Sequence, residues 1–127
     1  MKNYATDLCA LRHIDFSFET GNVPESMLVS TERRKNVFLI FKEAVYNAVK
    51  YAECSVFHAS IKQDDDRLIF ELFDNGKGFD VNRIKSYNGN GIMNMNQRAK
   101  EIGALLFIHS EVGKGTQIRL ELSIKIG

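Results

Sequence analysis

Four short stretches hold the residue types that could do chemistry. The first lies in "KEAVYNAVKYA", where Glu43, Asn47 and Lys50 are spaced by four and then three residues. On a helix this spacing puts an acid, an amide and a cation on one stripe. Read alone, such a stripe is more simply the solvated face of an amphipathic helix. The amide is the odd member, because asparagine is a poor helix former away from caps. Its side-chain oxygen suits magnesium, a hard ion that takes few protein ligands and fills its shell from phosphate and water.

The second stretch is "LFDNGKGF", residues 72–79. Asp74-Asn75-Gly76 would make a good turn after an apolar run. However, Gly78 follows closely, and Phe79 is an apolar residue that no exposed turn requires. Two nearby glycines let backbone approach a flat ligand, and an aspartate buried at a strand end could accept a hydrogen bond from an exocyclic amine. In isolation, turn and pocket are equally supported. The third stretch, "GNGIMNMNQRA", sets Gly89 and Gly91 just before a helical pattern. A helix N-terminus presents free amides and a positive dipole end to an anion. This is neither a Walker A loop nor a dinucleotide fingerprint, and a lone Gly-x-Gly is weak. The fourth, "GKGTQIRLEL", leads Gly113, Gly115 and Thr116 into an apolar alternation, a common way to turn a hairpin.

The elements that must position these residues follow from hydrophobic period. "IDFSFETG", from Ile14 to Gly21, alternates as a half-buried strand. "NVPESMLVS" carries the only proline and leads to Ser30 and Thr31, either of which could cap a helix. From Glu32 to about Ala52, apolar residues at helical spacing predict a long, largely buried helix. "SVFHASIKQ" and "RLIFELFD" predict a hairpin across the acidic turn Asp64 to Asp66. "IMNMNQRAKEIG" predicts a second helix, with Gly103 placed to end it. "ALLFIHS" and "TQIRLELSIKI" predict a closing hairpin. Strands come in pairs rather than alternating singly with helices. The expected fold is therefore α+β, a two-layer sandwich whose mixed or antiparallel sheet is covered on one face by helices.

A chain of 127 residues with 44% hydrophobic content suits one compact domain. The charges nearly cancel, 17 basic against 16 acidic, so no global field recruits nucleic acid or an anionic membrane. A charged partner must be held locally. Cys9 and Cys54 are too few and too distant in sequence to suggest a disulfide scaffold or a Cys-x-x-Cys metal site, which favours reduced thiols in a cytoplasmic setting. No stretch reaches the roughly 18–20 apolar residues of a membrane span, and the N-terminus lacks a signal-peptide apolar region.

Taken together and in this order, the four stretches are far more specific than any one. Glu…Asn on a helix, Asp-x-Gly-x-Gly, Gly-x-Gly before a helix and Gly-x-Gly-Thr entering a strand resemble the nucleotide-binding boxes of the ATPase superfamily shared by gyrase, heat-shock chaperones, histidine kinases and MutL. The resemblance runs from about residue 14 to 124 and implies that superfamily's Bergerat fold. Within it, "IFKEAVYNAVKYA", the short stretch from Asp80 to Gly89 and "GNGIMNMNQRAKEIGA" resemble catalytic domains of sensor histidine kinases of the nitrate-sensor and lipid-desaturation-sensor type.

The resemblance implies that Asp74 holds the adenine amine, that Gly76 and Gly78 let base and sugar approach the backbone, and that Thr116 supports the adenine site. Asn47 would bind Mg2+. Gly89, Gly91 and the following amides would cradle the ATP phosphates near Lys50, and Glu43 would be the catalytic base or orienting group. Kinases of this type often carry histidine where Tyr51 and Asn90 stand here, and neither change removes a predicted ligand.

The resemblance further implies donation of the ATP γ-phosphoryl to a histidine on a separate dimerisation domain, and indirectly to a response regulator. Residues 1–13 are expected as a remnant or tail before a domain at 14–127, too short for that acceptor unit. His13, His58 and His109 do not qualify as acceptors. The expectation is an excised catalytic domain, monomeric alone, from a dimeric parent that is either soluble or membrane-anchored. The alternatives are a stand-alone serine kinase of the anti-sigma-factor type and a non-catalytic scaffold of the same fold.

Overall fold

The computed structural model describes residues 2–20, 31–50, 53–78 and 91–123. Three helices, α1 (Lys2–Leu11), α2 (Thr31–Lys50) and α3 (Gly91–Glu101), accompany five strands. These are β1 (Asp15–Thr20), β2 (Val56–Asp64), β3 (Arg67–Asp74), β4 (Leu105–Glu111) and β5 (Gly115–Ser123). All lie in one sheet of order β1-β2-β3-β5-β4. β1 runs parallel to β2, and the other three pairings are antiparallel. The predicted α+β sandwich with a mixed sheet is the observed architecture. The parallel pair has a simple cause: α2 lies between β1 and β2 and carries the chain back to the sheet's starting end.

The two-residue period of the strands separates the faces of the sheet. Phe57, Ala59, Leu68, Phe70, Leu72, Ile118, Leu120 and Leu122 point inward and share one core with the helices. Val37, Ile40, Phe41, Ala44, Val45 and Ala48 enter it from α2, and Met95, Ala99 and Ile102 enter from α3. The other face carries Lys62–Glu71 and Arg67–Glu121 ion pairs at 3.2 and 2.9 Å. Exposed pairs of this kind contribute about 0–1 kcal/mol each, so burial on the inner face dominates. Ile69 is the exception on the outer face, only 2% exposed between its cross-strand neighbours Lys62 and Glu121, whose stems shelter it.

The first thirteen residues, expected as a remnant or tail, carry α1. Ala5 and Cys9 are wholly buried, and the Tyr4 ring meets Phe38 of α2 edge-on at 6.3 Å, with the Lys42 ammonium 5.2 Å from its centroid. The helix ends at His13, whose φ is 57°; there the Ile14 amide reaches back to the Cys9 carbonyl at 2.9 Å. α3 closes the same way, with the amides of Gly103 and Ala104 on the Lys100 and Ala99 carbonyls. Asp65, with φ 55°, turns the β2–β3 hairpin within the predicted acidic run. The ends predicted at Ala52 and beyond Ser123, the cap at Ser30 and the strand terminus at Gly21 lie outside the described residues. None of the described helices is long and apolar enough to cross a membrane.

Leu120 sits on the central β5, 1% exposed, opposite both Phe70 and Leu106. Leu120→Ala leaves a cavity that neither neighbouring strand can fill, with an expected loss of about 2–5 kcal/mol by denaturant titration.

Candidate functional site

Asp74 is the last residue of β3, 7% exposed, and its ladder partner on β5 is Thr116. A carboxylate at a strand end inside the core needs donors, and it has them. The Gly76 amide donates to Asp74 Oδ1 at 2.9 Å, and the backbone amides of Gly76 and Thr116 both favour its charged form. Burial outweighs them and pushes the carboxyl above the usual aspartate range. Thr116 is buried too; its hydroxyl is 2.8 Å from that of Ser110, which also donates to the Gly115 carbonyl at 3.1 Å. Ser110 was not singled out in the sequence. Extending the β4–β5 hairpin register from the 111–115 turn places it opposite Thr116.

The glycines around Asp74 are required by approaching backbone. At Gly115, φ is 86° and an added Cβ would lie 2.2 Å from the Asp74 carbonyl oxygen. At Gly78, φ is 63° and a Cβ would meet the Glu111 carbonyl oxygen at 2.0 Å. The Gly113 amide donates to the Lys77 carbonyl at 2.6 Å. The Asp-Asn-Gly-Lys-Gly segment is thus fastened to the β4–β5 turn. Gly78 and Gly115 have a packing role whatever they do for a ligand, and Gly76 is itself buried.

Cys54 joins this end of the sheet to α2. Its thiol donates to the Ala48 carbonyl at 3.2 Å, and burial, then the nearby Asp74 carboxylate, push its pKa up to about 11. It is an unreactive thiol beneath the aspartate. Asn47 is half-buried next to Ala48 on the last turns of α2, one turn beyond half-buried Glu43. Glu43 opens onto a groove of about 300 Å3 between α2 and α3, lined also by Tyr4, Lys42, Tyr46, Asn94 and Arg98. The groove is chemically mixed, with an acid, two cations and an amide. Arg98 and Asn94 of α3 were missed as site residues because they were counted only as the polar side of a helix; Arg98 spans the interface, 3.5 Å from Asn36 Oδ1.

Gly91, expected just before the helix, is its first residue. Gly89 and Phe79 lie outside the described residues, as does the stretch between them. Lys50 ends α2. The described geometry therefore joins Asp74, Gly76, Gly78 and Thr116 in one tight cluster. Asn47 is tied to that cluster through Ala48 and Cys54, and Glu43 faces the neighbouring groove.

Residues 32–126 match the family of histidine kinase-, DNA gyrase B- and HSP90-like ATPases, and the chain belongs to that family. Membership implies ATP binding. Among solved structures, the histidine kinase domain of the blue-light-activated histidine kinase of Erythrobacter litoralis EL346 superposes with a TM-score of 0.80 at 17% identity, covering 97% of this chain and 58% of that one. The histidine kinase AdeS of Acinetobacter baumannii gives 0.77 at 14% identity, covering 98% and 61%. Full-length ShkA, solved in complex with AMPPNP, gives 0.76 at 18% identity, covering 94% and 28%. These likenesses establish a shared fold, and the chain spans less than two thirds of each kinase chain.

Two measurements probe the cluster. Gly113 and Gly115 both have positive φ, but nothing lies within 4 Å of a Cβ at Gly113. Gly113→Ala should cost about 1 kcal/mol of strain alone, whereas Gly115→Ala must displace the Asp74 backbone and should lose several-fold more in the same denaturation assay. The raised Asp74 pKa means that the folded state holds a proton more readily than the unfolded chain. The stability from this group is therefore present at low pH and lost as pH rises through the folded value. The stability difference between Asp74→Asn and wild type should accordingly move in the variant's favour as pH is raised from about 3.5 to 6.5, and equal slopes for the two proteins would contradict the buried-carboxyl account.

Proposed function

We propose that this chain is the Mg-ATP-binding catalytic domain of a two-component sensor histidine kinase of the nitrate-sensor or lipid-desaturation-sensor type. The observation that carries the reading is Asp74: a buried carboxylate at a strand end, paired with Thr116 and presented by a glycine loop pinned on both sides. A carboxylate is acceptor-only, so the lone pairs that the Gly76 and Thr116 amides leave free select a donor such as the adenine amine.

Asn47 has the donor chemistry for Mg2+, a neutral oxygen on a half-buried helix face, and when bound the ion would neutralise phosphate charge. Gly89, Gly91 and the opening amides of α3 would hold the phosphates, with Lys50 nearby. Glu43 lines a groove of about 300 Å3 and would orient or deprotonate the acceptor nitrogen. That acceptor is a histidine on a separate dimerisation domain, which then supplies a response regulator. Phosphoryl transfer depends mainly on positioning and charge, which suits a site built from backbone amides and few side chains. The setting is the cytoplasm, and the isolated domain acts as a monomer.

Calorimetry with ATP and magnesium tests the reading. Wild type should bind ATP in a magnesium-dependent way. Asp74→Asn replaces one acceptor by an N–H donor among groups that already donate, and should weaken binding at least about tenfold, or about 1.4 kcal/mol. Asn47→Ala should remove most of the magnesium dependence. Equal heats for all three proteins would overturn the assignment.

A further inference from the structure

The residue beside the aspartate makes contacts that the nucleotide-site reading does not use. Asn75 Oδ1 accepts hydrogen bonds from the backbone amides of both Ser55 and Val56, each at 2.9 Å, and its Nδ2 donates to the Ser55 hydroxyl at 2.9 Å. Its own backbone amide donates to the Val56 carbonyl at 3.3 Å. The regular β2–β3 ladder stops at the pair Phe57 and Asp74. Beyond that rung, the chain of β3 bends away into the glycine loop, and the side chain of Asn75 takes the place of the missing strand. A single amide thereby satisfies two successive backbone donors at the entrance to β2.

We propose that Asn75 is a positioning residue of the candidate nucleotide site, fixing Asp74 against the adenine-facing end of the sheet by locking the segment 54–56 to the loop 74–76. The proposal rests on the nucleotide-binding reading above. The clamped segment contains Cys54, which reaches the last turns of α2 through the Ala48 carbonyl. It also contains Ser55, whose carbonyl accepts the Asp15 amide at 2.8 Å and so anchors the start of β1. Asn75 therefore ties three elements to the aspartate: β2 directly, α2 through Cys54 and β1 through Ser55. On the opposite side the same loop is held by the Gly113–Lys77 hydrogen bond and the close approach at Gly78. Without the Asn75 side chain only the Asn75 amide–Val56 carbonyl bond holds the loop on this side, and the Ser55 and Val56 amides lose their acceptor. Asp74 can then tilt within the rung it shares with Thr116.

An aspartate in this position would keep the acceptors but add a charge beside Asp74, so alanine is the cleaner probe. The test measures ATP and GTP affinities of wild type, Asn75→Ala, Ser55→Ala and Asp74→Asn, well below the lowest melting temperature of the four. If Asn75 aims the base acceptor, Asn75→Ala loses about tenfold in ATP affinity while its weaker GTP affinity is little changed, so the preference for adenine collapses. Ser55→Ala keeps both amide bonds and should stay within about twofold of wild type. Amide hydrogen exchange at Ser55 and Val56 should accelerate in Asn75→Ala alone. A purely structural residue would lower both affinities together, or neither; either result overturns the proposal. Wild type discriminating adenine and Asp74→Asn failing to, with Asn75→Ala behaving as wild type, sinks the positioning role and leaves the nucleotide site intact. A wild-type chain that binds no nucleotide overturns both.

Discussion

The close approach of two backbones at one end of the sheet governs this domain. Gly115 lies against the Asp74 carbonyl and Gly78 against the Glu111 carbonyl, at separations no side chain tolerates. This contact draws the loop after β3 onto the turn before β5, and it sets the depth at which Asp74 is held. A carboxylate so placed is costly to bury, and the backbone amides of Gly76 and Thr116 offset only part of the cost. The sheet end is thus less stable than an apolar version of itself would be. A buried carboxylate with perturbed ionisation marks a candidate binding position.

The helices serve the same end of the molecule. α2 is buried along Val37, Phe41, Ala44, Val45 and Ala48, which leaves Glu43 and Asn47 half-buried beside that packed face. α3 packs against α2, and its Asn94 and Arg98 line one groove with Lys42 and Tyr46. Apolar burial thereby decides where the polar stripe points. The third helix, α1, adds Tyr4 to the rim of that groove, so a segment remote in sequence helps shape the space next to Glu43.

Much of this was legible in the sequence, because the strands alternate cleanly and α2 has a wide apolar face. The observed β2, β3, β4 and α3 fall within one or two residues of their expected bounds. The pairing of Asp74 with Thr116 was expected only through family resemblance, and the long-range register of β3 against β5 produces it. α1 was missed for a physical reason. Its buried stripe is Ala5 and Cys9, with Tyr4 and Leu8 beside it, and two small residues give little hydrophobic signal even when fully enclosed. The direction of β1 was left open, since alternation marks a strand but not its sense. The glycines were read as room for a ligand; at Gly78 and Gly115 the space is occupied by carbonyl oxygens of the protein itself. Single-residue reading could not see this, because the partner backbone lies 33 residues away for Gly78 and 41 for Gly115.

The parallel seating of β1 has a consequence for how the domain comes together. The β2–β3 and β4–β5 pairs are closed by short turns and β3 meets β5 across α3 and β4, whereas β1 can dock only after α2 has crossed back and β2 is in place. Of the two edge strands, each with one strand neighbour, β1 has the more distant contacts in sequence: its rungs join residues 41 apart, those of β4 at most 16. β1 is therefore the natural late arrival in folding and the first strand to detach when the sheet opens, taking with it the seat of α1. The same sheet thus combines an antiparallel centre, where the aspartate sits, with a parallel margin joined to it through Ser55, so loosening at that margin is felt at the aspartate.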